Sequence, residues 1–142
     1  MFDLNDCMAF TTCRCSKDFA DALEKRLCYC EVNRNQWIAM HYIYTNRQLT
    51  QCDLAGRMSI TEPSVARMLQ KLDDMGYLQK HSDAGDKRKN LISLSEKGEA
   101  VYRKILPLVE KYKAETVSGI SESDLQTLKV TLEKMVKNAR KQ

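Results

Sequence analysis

Two helix starts and one helix stop fall between positions 50 and 76, leaving room for two short helices joined by a tight turn. Thr50 is followed three residues later by Asp53, the spacing at which a cap hydroxyl and a carboxylate reciprocally satisfy two orphan backbone amides. Leu54, Ala55 and Met58 supply the inner face of this helix, and Ser59-Ile60 makes the turn. Thr61 caps the next helix, with Pro63 in its first turn, where a missing amide hydrogen has no intrahelical partner to lose. Val65, Met68, Leu69, Leu72 and Met75 then recur at three- and four-residue steps until Gly76 ends the run. A short helix, a tight turn and a longer, better-capped helix make a helix-turn-helix candidate.

The texture changes after Gly76. Tyr77-Leu78-Gln79-Lys80-His81 and Asn90-Leu91-Ile92-Ser93-Leu94 are predicted strands, and the polar stretch 82–89 between them has the composition of a hairpin tip. Upstream, residues 3–27 are predicted as one helix, with Phe19, Ala20, Leu23 and Leu27 on its apolar face. Cys28 to Val32 is a connection, after which Asn33 and Gln36 form a capping box for a helix striped by Trp37, Met40, His41 and Tyr44. Downstream, Ser95 caps a helix with Val101, Ile105, Leu108, Val109 and Tyr112 on its apolar side, and Pro107 predicts a kink near residues 103–106. Ser121 starts a last helix carrying Leu125, Leu128, Leu132, Met135 and Val136. The terminal helices are long for so small a core, and a second copy of the chain is the simplest cover for their apolar stripes.

The expected fold is therefore mainly α with a small β-hairpin wing: a winged helix-turn-helix over 33–98, between an N-terminal dimerisation helix over 1–32 and C-terminal dimerisation helices over 99–142. A hydrophobic content of 43% is enough for a core and too high for a disordered tail. The chain contains no apolar run of bilayer length, and its start lacks the basic-then-apolar order of a secretory signal, so the expected location is the cytoplasm. A net charge of +4 permits a nucleic-acid partner without requiring one, because phosphate binding depends on where the cations cluster.

The cations cluster in two places. With Val65, Leu69 and Leu72 turned inward, the helix over 61–75 presents Pro63, Ser64, Arg67 and Lys71, with Thr61 at its tip. Arg67 can donate two parallel hydrogen bonds to a guanine edge, Ser64 and Thr61 can reach bases or phosphates, and Lys71 is placed for backbone. Taken alone, such a face is what any solvated helix shows. The hairpin changes its meaning: Lys87, Arg88 and Lys89 sit at the tip of a loop beside that helix, suited to a minor groove of concentrated negative potential. Asp86 is expected to turn the loop and hold a neighbouring basic side chain.

The stretch 49–98 resembles the MarR family of bacterial transcription regulators. The matching pieces are Leu54-Ala55, Ser64-Val65-Ala66-Arg67, Leu72-Asp73-Asp74-Met75-Gly76-Tyr77-Leu78, Asp83-Ala84-Gly85-Asp86-Lys87-Arg88 and Leu91-Ile92-Ser93-Leu94-Ser95-Glu96-Lys97-Gly98. The family wing reads Asp-x-Arg-Asp-x-Arg; Asp83, Asp86 and Arg88 match, while Gly85 stands in place of the first arginine, with Lys87 and Lys89 as nearby cations. The resemblance implies a homodimer with its recognition helices in successive major grooves, about 10 base pairs apart. It also implies a transcription regulator, in many relatives a repressor released by a small molecule, oxidant or metal that binds the DNA-incompetent arrangement better.

The effector is open at this level. Some relatives sense peroxides through a cysteine near the start of the first helix, close to Cys7; Cys13 and Cys15 are the other redox candidates, Cys13 lying four residues before Lys17. Residues two apart on a helix point about 200° apart, so Cys13 and Cys15 cannot jointly hold a metal, and Cys28 and Cys30 in the connection are the better metal candidates. Trp37, His41 and Tyr44 could line an organic effector's pocket, although an aromatic stripe at this spacing is commonly core. For most of the six cysteines the expected role is that of a small buried hydrophobe. No glycine-rich phosphate loop, HExxH pair or nucleophile elbow occurs, so neither enzymatic activity nor a cofactor is expected. The competing class is a winged-helix module that binds protein instead of DNA, which would leave the cationic wing without a use.

Overall fold

A computed structural model describes residues 1–86 and 89–141 of the chain. After a 3-10 turn at Leu4–Asp6 come α1 (Met8–Arg26), α2 (Arg34–Asn46), α3 (Gln51–Met58), α4 (Glu62–Asp74), β1 (Leu78–Ser82), β2 (Asn90–Leu94), α5 (Glu96–Thr116) and α6 (Glu122–Ala139). The winged helix-turn-helix architecture is as expected from the caps and strand patterns. The chain divides into two compact units: Leu23–Val109, and Met1–Ala22 together with Glu110–Gln142.

The expected continuous helix over 3–27 is interrupted. The Asp3 carboxylate accepts from the Asn5 amide at 2.9 Å, a local turn that competes with helical pairing, and Cys7 is extended at φ −81°, ψ 101°. In the same segment Leu23 and Leu27 are buried, but Phe19 is exposed, so the predicted apolar face is covered within the chain only at its C-terminal end.

The middle unit owns the core. Ala39, Met40 and Ile43 of α2, Leu54 of α3, and Val65 and Leu72 of α4 are inaccessible to solvent. Both capping boxes form: Asn33 Oδ1 accepts from the Gln36 amide at 2.9 Å, and Thr50 Oγ1 from the Asp53 amide at 3.1 Å. Thr50→Ala is expected to cost about 1 kcal/mol, visible as a lowered thermal midpoint; an unchanged midpoint would show that water caps α3 equally well.

The strands pair antiparallel with Leu78 opposite Leu94, Lys80 opposite Ile92 and Ser82 opposite Asn90. The first strand begins one residue later than predicted because Tyr77 belongs to the end of α4. Gly76 adopts φ +79°, its amide donates to Asp73 O, and the Tyr77 amide donates to Leu72 O at 3.0 Å, the Schellman arrangement that closes a helix. Leu49 joins the hairpin from the far side through a reciprocal bridge with Ile92, at 3.0 and 2.7 Å. In α5 the fully buried aromatic is Tyr102, one residue from the predicted Val101; the helix continues through the exposed Pro107 to Thr116.

In the unit of Met1–Ala22 and Glu110–Gln142, the Tyr112 hydroxyl donates to the Phe19 carbonyl at 2.8 Å. α6 has no buried residue; Leu128, Val130 and Val136 are exposed on it, as are Met8, Phe10 and Phe19 on α1. No helix is long and apolar enough to cross a membrane among the described residues.

Candidate nucleic-acid interface

α4 is the element that positions most of the nominated side chains. Val65, Leu69 and Leu72 pin one face to the core, and the helical period then turns Pro63, Ser64, Arg67 and Lys71 outward, all exposed. At its start the Thr61 hydroxyl accepts from the Ser64 amide and donates to Ser64 Oγ at 2.9 Å, so these two hydroxyls orient each other at the helix tip. Arg67 and Lys71 enter no salt bridge with a described residue, which leaves both charges available to an external anion.

α4 stands between two concavities. One, of about 410 Å³, is lined by Asn33, Asn35, Ile60, Ser64, Arg67 and Lys71. It borders the N-terminus of α2, where the Arg34 amide donates to Glu24 Oε2 at 3.2 Å and the Gln36 amide to Asn33 Oδ1 at 2.9 Å. Asn33 and Asn35 line this groove beside Arg67 and were not among the residues nominated from the sequence. The Asn33 cap was legible, but nothing in a one-dimensional pattern aims it at Arg67. The other concavity, of about 570 Å³, lies toward the hairpin and includes Cys52, Glu62, Gln70, Lys80, Lys89 and Asn90. Here the Glu62 carboxylate, accepting from the Cys52 thiol, holds that thiol above its ordinary range. Hydrogen bonds from Thr50 hold the Asp53 carboxyl below its own.

In the hairpin tip, the Asp83 side chain accepts from the Gly85 amide at 2.9 Å, an Asx turn. Asp83 N donates to Lys89 O, and Lys89 N to Asp86 O, each at 3.0 Å. Turning is thus shared between Asp83 and the Asp86 carbonyl. Lys89 is exposed at the base of the tip; Lys87 and Arg88 lie outside the described residues.

Of the effector candidates, Trp37 and His41 lie together in the middle unit, and Cys7, Cys13 and Cys15 belong to the unit of Met1–Ala22 and Glu110–Gln142. Trp37 is buried and stacks on His41 and Tyr102 with ring centroids 5.4 Å apart in each case, and His41 Nδ1 lies 2.9 Å from the Tyr102 hydroxyl. Tyr44 packs on Tyr102 at 4.5 Å, completing an aromatic cluster between α2 and α5. Trp37 Nε1 is buried without a hydrogen-bond partner in this cluster. Cys7 is half-buried where the 3-10 turn meets α1, while Cys13 and Cys15 are exposed on α1. Cys28 is exposed and Cys30 half-buried, its thiol pushed up by burial and by the Glu31 carboxylate. Contrary to the small-hydrophobe expectation, none of the six cysteines is buried within the chain. Those on α1 sit on a helix whose buried face is confined to Leu23, so there is no apolar layer to enclose them. Among the described residues, no three His, Cys, Asp or Glu side chains converge as a metal-binding group.

Residues 31–89 match the family model described as MarR family. The whole chain is similar in fold to solved structures. One, described as a MepR–DNA complex from S. aureus, is 22% identical, with 93% of this chain and 98% of that one covered at a TM-score of 0.82. BpsR from Bordetella bronchiseptica is 16% identical, with 96% and 97% covered at 0.85; its description concerns regulation of DNA binding by 6-hydroxynicotinic acid. A cysteine-to-serine mutant of MarR from E. coli, complexed with operator DNA, is 20% identical, with 95% and 99% covered at 0.81.

Proposed function

We propose, on the match of residues 31–89 to the MarR family model, that the chain is a homodimeric, sequence-specific DNA-binding transcription regulator, a non-enzymatic repressor acting in the cytoplasm and released by a small molecule, oxidant or metal. The observation that carries this reading is the outward face of α4, where Ser64, Arg67 and Lys71 are exposed together and both cations are uncommitted to any described carboxylate. An α-helix of this kind fits a major groove, and the guanidinium of Arg67 can take the O6 and N7 of a guanine. Lys71, Asn33 and Asn35 bound a groove suited to a phosphate beside it. Lys89, with Lys87 and Arg88 from the sequence, supplies the flanking contact. The DNA complexes described for MepR and MarR support the same use of the fold.

Two-fold pairing follows from the terminal helices. Phe10, Phe19, Leu128, Val130 and Val136 on α1 and α6 are all about half exposed, apolar side chains that the chain itself leaves uncovered. A second copy covers it symmetrically. In this reading, segments 1–32 and 99–142 form the dimerisation region and 33–98 contacts DNA. The regulation described for BpsR supports an organic effector as one of the release signals.

Selection of bound duplexes from a random pool, with sedimentation equilibrium for the assembly state, tests the proposal. A near-palindromic consensus bound by a dimer is expected; a monomer that enriches no duplex at low salt overturns it. Arg67→Ala is expected to weaken binding by about 1–3 kcal/mol and to relax the preference at one base per half-site. If selection with the variant returns the parental consensus at every position, Arg67 reads no base.

A further inference from the structure

The connection that leaves α2 is short for what it must span. The helix ends at Asn46, and Leu49 is already bonded to Ile92 through both its amide and its carbonyl. The chain turns at Arg47, whose φ of 63° and ψ of −43° belong to a three-residue γ-turn of the rare, strained hand. The Gln48 amide closes that turn by donating to Asn46 O at 2.7 Å. The short span accounts for the turn but not for the residue. Glycine reaches such a conformation at little steric cost, and Gly76 and Gly119 stand at positive φ elsewhere in the chain. A long side chain held here against its backbone preference points to a use for that side chain.

Arg47 lines a cavity of about 550 Å³ together with Tyr44, Leu94, Glu99 and Arg103, all of them in the unit Leu23–Val109. Its guanidinium makes no ion pair or side-chain hydrogen bond with a described residue. Arg103 donates through Nη2 alone, to Glu99 Oε2 at 3.1 Å and to the Tyr44 hydroxyl at 3.3 Å, and its guanidinium stands 5.7 Å from the centre of the Tyr44 ring. Nε and Nη1 of Arg103 thus have no partner among the described residues. The Tyr44 hydroxyl accepts in that bond and keeps its own proton to donate. Two guanidiniums and one carboxylate give the wall of the cavity one net positive charge.

We propose that this cavity is a binding site for a small organic monocarboxylate. Arg47 and the open edge of Arg103 take its two oxygens, the Tyr44 hydroxyl donates to one of them, and its apolar body lies against the Tyr44 ring and Leu94. A guanidinium fork matches a planar carboxylate, and one net positive charge balances one negative. A phosphate dianion would bring a second charge with nothing to offset it beside Glu99. The cavity shares no lining residue with the two concavities beside α4, so the site does not depend on the DNA-binding reading.

The test titrates the full chain with sodium benzoate and follows the backbone amides by NMR, with benzamide as the uncharged isostere and inorganic phosphate as the second anion. Benzoate is expected to shift the amides of residues 44–48 and 93–103 along a saturable isotherm. Benzamide and phosphate are each expected to bind about tenfold more weakly or worse. Arg47→Gln and Arg103→Gln remove one charged donor each and are expected to weaken benzoate binding about tenfold. Arg47→Gly supplies a readout that a merely structural role would not give. Glycine relaxes the turn, so the thermal midpoint without ligand rises by about 2–4 °C while benzoate binding is lost. Lost binding with a lowered midpoint would be plain destabilisation and would overturn the proposal. It is equally overturned if benzoate gives no saturable shifts at these amides, if benzamide or phosphate binds as tightly as benzoate, or if Arg47→Gln binds like the parent.

Discussion

Gly98→Ala is expected to destabilise the chain by roughly 3–5 kcal/mol, enough to threaten folding of the middle unit at physiological temperature. An alanine Cβ would meet Tyr77 O at 2.2 Å, Tyr77 C at 3.0 Å and Tyr77 Cα at 3.1 Å. All three are backbone atoms of a buried residue, so no side chain can swing aside. Either α5 withdraws, breaking the bonds from Ser95 Oγ to Gly76 O and from Lys97 Nζ to Met75 O, or Tyr77 shifts and disturbs the adjoining first pair of the hairpin, Leu78 with Leu94. Overpacking costs about 1–3 kcal/mol by itself, and each displaced hydrogen bond adds about 1 kcal/mol. The better helix propensity of alanine returns about 1 kcal/mol and does not reverse the sign. A thermal melt followed by circular dichroism should show a midpoint about 10 °C lower, taking 2–4 °C per kcal/mol at this size. A midpoint within a degree or two of the parent would mean that the close approach relaxes freely.

The second large effect is on DNA affinity. Arg67, Lys71 and Lys89 are exposed cations on or beside the proposed binding face, and a dimer presents each of them twice. With Arg67 assigned to a base edge, Lys71 and Lys89 neutralise about four phosphates per dimer, giving a slope of about −3.6 in log affinity against log salt, so raising salt from 50 to 200 mM should weaken binding on the order of 10²-fold. Lys87 and Arg88, if they also engage, steepen the slope further. Fluorescence anisotropy across a salt series measures it directly. A flat salt response would point to the protein-binding class of winged helix instead, since counterion release has no counterpart there.

The caps and the strand limits of this chain were readable to within about a residue. Asn33 with Gln36, Thr50 with Asp53, and Ser121 at the head of α6 all cap as expected. Each of those bonds spans three residues and depends on nothing distant. The second strand matched its predicted limits, Asn90 to Leu94, because its apolar run ends at Ser95 and begins after the polar stretch 82–89. Errors arose where two local preferences competed. A 3-10 turn, with the Cys7 amide on Leu4 O, ended the first turn at an extended Cys7, and Gly76 drew Tyr77 into the closure of α4 instead of the strand.

What the sequence by itself determined is the succession of elements, their caps, and the polar face of α4 with Ser64, Arg67 and Lys71, because these follow from side-chain chemistry and helical period over a few residues. Only the tertiary structure decided that Leu49 would bridge to Ile92, that Asn33 and Asn35 would face Arg67 across a groove, that Tyr102 would complete the aromatic cluster, and that Gly98 would rest on the Tyr77 carbonyl. Most of these contacts join residues tens of positions apart and leave no periodic trace. They exist because burying the shared apolar faces of α2 to α5 admits few arrangements of those elements, and the partners are whichever groups that arrangement brings within reach.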